Sequence, residues 1–181
     1  MPLEWGRGLV DLTEKYLILK NYIVARSVVY EVYTKRDNRK PPSPTKYQPS
    51  YFDIDLVAFK GLKEDDFRGF EVLLVECTQS NIKQKKAEKI VKEMNKVARF
   101  DIYVNYDLPK KETKIHKWIT YDTMDEKRKK FFKNQGCVLK SANEMLLELV
   151  EHVKEKPELK RPEALVWLLQ TLERSGLLKK K

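Results

Sequence analysis

A mixed β-sheet with helices packed on it is the α/β architecture this sequence predicts, on three observations. Two apolar, β-branched runs, 52–59 and 70–77, flank a polar, glycine-containing connection and read as an antiparallel hairpin. Amphipathic stretches of helical spacing lie before and after it, at 7–20 and from 80 or 81 to about 98. Runs at 22–34, 99–106 and 114–122 supply further strands. The predicted order is helix, three strands, helix, two strands, and then a helical C-terminal third.

At 181 residues the chain suits one domain with a proper core and a small appendage. The division expected is a core over 1–123 and a helical extension over 124–181, packed on the core or used for oligomerisation. Hydrophobic residues make up 41%, enough to fold, and charged residues 35%, above the usual quarter. Lys and Glu dominate that charge, a composition common in heat-adapted proteins. No long apolar run exists and MPLEWGRG lacks a signal-peptide core, so a soluble cytoplasmic protein is expected. Two cysteines, Cys77 and Cys137, and two histidines, His116 and His152, argue against a disulfide scaffold, a Cys/His zinc site and a histidine-based mechanism.

The net charge of +10 is unevenly spread. Residues 50–78 hold Lys60, Lys63 and Arg68 against Asp53, Asp55, Glu64, Asp65, Asp66, Glu71 and Glu76, a net −4 that leaves +14 for the remainder. An acidic island in a basic protein suits a polyanionic substrate and a cation-binding centre, as it also suits a highly charged soluble surface.

Taken in order, 7–20 carries an apolar stripe of Leu9, Val10, Leu12, Tyr16, Leu17 and Leu19, with Glu14 at its border and Asp11 farther out. Asn21 is a helix stop. The β-branched, aromatic segment 22–34 is long enough for a bent or bulged strand. Residues 35–50 hold four prolines and the basic residues Lys35, Arg36, Arg39, Lys40 and Lys46, which reads as an extended loop, either a nucleic-acid contact or a plain surface loop. In the helix after the hairpin, Ala87, Ile90, Val91, Met94 and Val97 form the buried stripe, and the wheel places Lys83 in its middle. Lys85, Lys89, Lys92 and Lys96 fall opposite, as solvated lysines or a phosphate-facing row.

A basic loop joins the strands at 99–106 and 114–122, with Lys110 and Lys111 as expected nucleic-acid contacts. Residues 125–136 form a basic helix ending at Gly136, and GCVLK adds a short strand. Ser141 with Glu144 makes a capping box, and 161–176 is a last helix, bearing Trp167, with Pro162 in its first turn.

Asp55 lies inside the first run of the hairpin and Glu76 near the end of the second. Carboxylates in apolar strands cost free energy unless something such as a metal ion compensates them. Strand alternation turns Asp53 and Asp55 one way, and Glu76 and Thr78 together, with Cys77 and Gln79 on the opposite face. Carboxylates converging on one or two Mg²⁺ ions, beside a cation near the attacked phosphate, are what metal-dependent phosphodiester hydrolysis needs.

Helix 7–20 with Glu14, NYIVARS (21–27), DLVAF (55–59) and LLVECT (73–78), followed by a helix and two strands, resemble the PD-(D/E)XK, or restriction-endonuclease-like, nuclease superfamily. The resemblance covers roughly residues 7–120 and is closest to the archaeal Holliday-junction-resolvase and Mrr-like branch. It implies a restriction-endonuclease-like fold and a DNA endonuclease dependent on Mg²⁺ or Mn²⁺, in repair, recombination or defence, working as a homodimer where two strands are cut. It also implies Asp55 and Glu76 as metal ligands, Glu14 (or Asp11) as an accessory acid and Asp53 as a neighbouring acid. Thr78 stands where that superfamily has lysine, and threonine brings no charge. Either the lysine has moved, with Lys83 the candidate and Gln79 a polar alternative, or the chain is an inactive nuclease-fold protein that binds nucleic acid or serves as a subunit of a complex.

Overall fold

The computed structural model describes residues 5–35, 47–64, 67–78, 82–98, 102, 106 and 108–155. Helix α1 (Trp5–Leu19) is followed by strands β1 (Ile23–Lys35), β2 (Tyr47–Glu64) and β3 (Phe67–Thr78). Then come α2 (Gln84–Lys96), a short 3₁₀ turn (Lys110–Glu112), β4 (Thr113–Tyr121), α3 (Glu126–Asn134), β5 (Cys137–Ser141) and α4 (Ala142–Glu155).

The five strands form one sheet in sequence order. β1, β2 and β3 are an antiparallel meander, while β3 with β4 and β4 with β5 run parallel. Parallel neighbours need crossovers, and α2 and α3 lie in the two crossing segments. Both helices cover one face, where Ala87, Ile90, Val91, Met94 and Phe132 meet Val57, Val72, Leu74 and Ile119. On the other face α1 (Leu9, Leu12, Leu17) and α4 (Met145, Leu146, Leu149) pack on Leu56, Ala58, Leu73 and Val75. β3 is therefore buried on both sides, which is why 72–75 reads as an unbroken apolar run rather than an alternating one.

Local signals hold at several element ends. Asn21 takes φ 65, and Tyr22 N–H bonds back to Leu17 O at 3.0 Å to close α1. Asp125 accepts the Arg128 N–H at 2.8 Å to start α3, and Gly136 at φ 69 follows its end. Ser141 and Glu144 exchange bonds as a capping box, Ser141 N–H to Glu144 Oε2 at 2.6 Å and Glu144 N–H to Ser141 Oγ at 3.2 Å.

Four expectations differ. α2 begins at Gln84, not at Ser80 or Asn81, and residues 79–81 lie outside the described part. The alternation at 99–106 predicts a strand, yet Ile102 is helical and buried on the α2 face; most of that run lies outside the described residues. The loop expected over 35–50 is partly strand, since β1 runs through Lys35 and β2 begins at Tyr47, the two being paired. Residues 126–155, expected in an extension packed on the core or used for oligomerisation, hold α3, β5 and α4, with β5 paired to β4 and α4 on the α1 face. The helix expected at 161–176, with Trp167, lies outside the described residues. No described helix is long and apolar enough to cross a membrane.

Candidate metal centre

The regular pairing of β2 with β3 ends at Leu56↔Val75. One step farther, the same register sets Asp55 against Glu76. On the other side of β2, Arg26↔Leu56 and Val28↔Ile54 flank a step, Ser27 with Asp55, that is not paired. Ser27 has φ 47, a conformation that few residues other than glycine adopt.

Both strands change side at this step. Val24 packs with the α1 face, whereas Val28 and Tyr30, of the same parity, pack with the α2 face. Leu56 likewise belongs to the α1 face, and Ile54 and Phe52 to the α2 face. A local break of this kind re-aims side chains, as bulges do. Here it interrupts the ladder on both sides of Asp55. The Asp55 Oδ2 then accepts the Cys77 N–H at 2.7 Å, and so is held against β3 next to Glu76.

The electrostatics follow from this placement. Burial pushes the Asp55 carboxyl above its ordinary range and the nearby Asp53 adds to that, against the Cys77 N–H and the Lys86 charge, which pull it down. Glu76 is pushed up to about 8, first by burial and then by Asp55, Glu93 and Asp53, with Lys86 opposing. Two carboxylates in one dehydrated place disfavour each other's charge, which a cation between them would relieve. Cys77 turns the other way, with its Sγ 3.8 Å from Thr13 Oγ1. Burial raises its thiol to about 12, so it is no nucleophile near neutral pH.

Lys86 and Glu93 were not singled out by the sequence. They lie seven residues apart, nearly two full turns, and so share one edge of α2. That edge flanks the buried stripe on the side of Asp55 and Glu76, and Lys86 is the cation whose charge bears on both acids. Lys83 is placed differently. It caps α2 with extended backbone (φ −67, ψ 149) and is exposed, so the helical wheel that put it in the stripe does not apply to it.

The accessory acids have a partner of their own. Arg26 Nε donates to Glu14 Oε1 at 2.8 Å, its Nη2 meets Glu14 Oε2, and its Nη1 lies 2.7 Å from Asp11 Oδ1. This fork holds the Glu14 carboxyl below its usual range and ties α1 to β1 next to Ser27. Asp53 is exposed beside the acid pair, and Thr78 is buried at the end of β3.

The remaining expected positions lie apart or outside. Lys110 and Lys111 are exposed on the 3₁₀ turn, which leads into the Thr113↔Phe70 end of the β3–β4 pair. Glu76 pairs six residues along, about 20 Å away at strand rise, so these lysines do not flank the acids. Lys35 ends β1; Arg36, Arg39, Lys40, Lys46 and Gln79 lie outside the described residues.

Among the described residues no group of three or more His, Cys, Asp or Glu side chains is arranged to hold a metal ion. The donor set that converges is the pair Asp55 and Glu76. Mg²⁺ is commonly bound by one or two carboxylates, with waters and substrate phosphate oxygens completing its octahedron, so a two-acid site fits that ion. Compared with known proteins, the chain matches no family model, no curated protein and no solved structure.

Proposed function

We propose that this protein is a metal-dependent nuclease that hydrolyses phosphodiester bonds of DNA, using Asp55 and Glu76 to hold Mg²⁺ or Mn²⁺. The observation that carries the reading is the meeting of these two acids where the sheet ladder breaks, with Glu76 pushed up to about 8 by burial and by Asp55. The restriction-endonuclease-like assignment rests on the order helix, three antiparallel strands, helix, strand, together with the two motif acids on β2 and β3. When bound, the metal supplies Lewis-acid activation of water and neutralises charge developing on phosphate.

The residues of the chain divide the remaining work. Asp55 is oriented before any substrate arrives, because the Cys77 N–H fixes one of its oxygens. Lys86 takes the part that Thr78 cannot, placing positive charge beside the acids where phosphate charge grows. The Arg26 fork with Glu14 and Asp11 is a positioning device, bracing β1 beside the irregular step that aims Asp55. Asp53 adds negative charge at the rim.

A second reading, an inactive nuclease-fold protein that binds nucleic acid or serves as a subunit, rests on Thr78 at the motif lysine position. Cleavage of branched, duplex and single-stranded DNA, with Mg²⁺, with Mn²⁺ and with EDTA, separates the two. The nuclease reading expects cutting with either ion and none in EDTA. If every substrate stays intact with both ions, the nuclease reading fails.

A further inference from the structure

The lysine row of α2 and the cleft behind it are not used by the acid pair. α2 carries five lysines against two glutamates, and α3 four lysines and an arginine against one glutamate. Between the two helices lies a cavity of about 440 Å³. Its walls are Val91, Lys92, Asn95 and Lys96 from α2, Phe131 from α3, and Gln135 just after it. Glu88 of α2 also lines it, its Oε1 accepting a hydrogen bond from the Gln84 amide at 2.8 Å.

This cleft is already built. Arg128 on α3 donates through Nε to Ile82 O at 2.9 Å and through Nη1 to Gln84 Oε1, which pins α3 to the start of α2. Lys117 of β4 donates to Asn95 Oδ1 at 2.7 Å and to Gln135 O at 2.7 Å, which sets the floor. With its oxygen so engaged, Asn95 has its amide N–H groups left as donors. The walls thus combine an aromatic ring, amide groups and the Lys92 ammonium, beside the Glu88 carboxylate, in a volume suited to a small ligand, while the Lys96 Nζ lies over the Phe52 ring, 5.0 Å from its centroid. Rings that stack, amides that read base edges and ammoniums that meet phosphate are the chemistry of a nucleotide.

Its position on the helix gives the direction of travel. Lys86 and Glu93 lie on the edge of α2 near the acids, and the cleft residues Glu88, Val91 and Asn95 lie on the opposite edge. Lys85, Lys89, Lys92 and Lys96 occupy the arc between. The helix is about 10–12 Å across. That is about three nucleotides at the 3.4 Å rise of a stacked strand.

We infer that the α2–α3 cleft receives an unpaired base of a single-stranded DNA segment whose phosphates run along the α2 lysines from the Asp55–Glu76 pair. This rests on the nucleic-acid reading above and adds the strand form and its path. A base inside a duplex cannot enter the cleft without being unstacked, so the site favours single strands.

The test is fluorescence anisotropy of a short fluorescein-labelled oligodeoxythymidine with the full chain in EDTA, where cleavage plays no part. Lys92→Glu is expected to lower affinity and to reduce the slope of log affinity against log salt by about 0.7, one single-strand phosphate contact. Phe131→Leu, which keeps apolar bulk and removes the ring, is expected to weaken binding about fivefold, one base stack, with a thermal midpoint near that of the wild type. The same strand annealed to its complement is expected to bind less tightly. Wild-type affinity in either variant, equal affinity for the duplex, or no binding of the oligonucleotide to the wild type overturns the inference. None of those results touches metal-dependent cleavage of duplex or branched DNA, and loss of the cleavage reading leaves this binding intact.

Discussion

Asp55 Oδ2 accepts the Cys77 N–H at 2.7 Å at the step where β2 and β3 stop exchanging ladder bonds. The carboxylate therefore does what a strand carbonyl would do in a regular sheet, and is oriented by the backbone of the strand that carries Glu76. Asp55→Asn keeps an oxygen for the Cys77 N–H and removes the charge. It is expected to stay folded and to lose more than about 100-fold of Mg²⁺-dependent cleavage, beyond what loss of a supporting residue costs. Labelled-DNA cleavage beside a thermal melt reads both, and wild-type cleavage in this variant would remove Asp55 as a ligand.

Glu76 works against the stability of the metal-free fold. Its folded value near 8 exceeds the ordinary 4.5, so the penalty is absent below 4.5, grows as pH rises and is complete above about 8. Glu76→Gln is expected to stabilise the protein by about 0.5–2 kcal/mol in EDTA at pH 8 while abolishing cleavage. Urea unfolding decides this, and a variant less stable than the wild type would show that the carboxylate is well accommodated without metal.

Lys86 and Lys83 are separable by mutation. Lys86→Ala is expected to lower cleavage about 100-fold, the scale of one lost electrostatic contact to the transition state. Lys83→Ala, at the exposed cap of α2, is expected to cleave as the wild type does. The reverse pattern would return the role to Lys83.

The Arg26–Glu14 fork holds a half-exposed arginine, with side-chain exposures of 43% and 15% for the two partners, so solvent screens it. A double-mutant cycle with Glu14→Gln and Arg26→Gln is expected to give a coupling of about 0.5–1 kcal/mol in urea unfolding. Zero coupling would mean that the fork does not brace β1.

Acid stability has a separate source. Burial pushes Glu148 up, but bonds from Lys140, Tyr16 (2.6 Å) and Lys20 (3.0 Å) outweigh it and hold the carboxyl down to about 2. A depressed value contributes stability above the unfolded 4.5 that is lost as pH falls toward 2. Glu148→Gln is expected to flatten the decline of the urea midpoint over that window. Glu144, held low by Ser141, and Glu14, held low by Arg26, are depressed in both proteins and set the remaining slope. An unchanged slope in Glu148→Gln would assign the acid sensitivity elsewhere.

Much of the sheet was legible because its signals are local. The apolar runs at 52–59 and 70–77, the Asn21 stop and the Ser141–Glu144 box each depend on neighbours within a few residues. Lys86 was hidden for a definite reason. A lysine on the edge of a helix looks like any solvated charge until the register of the preceding strands shows which acids it faces. The helical wheel assumes helix from 80 or 81 and so misplaces Lys83, whose own backbone is extended and which precedes the first helical residue, Gln84.

The sequence by itself determined that Asp55 and Glu76 sit in facing apolar strands, that Thr78 brings no charge, and that lysines line one face of α2. Tertiary structure decided what those residues meet. The side change at Ser27 and Asp55 depends on which helix layer each strand segment packs against, and Glu14 turns to Arg26 through a contact between separate elements. Alternation along one strand cannot carry that information, because it describes parity within the strand and not the partner on either side.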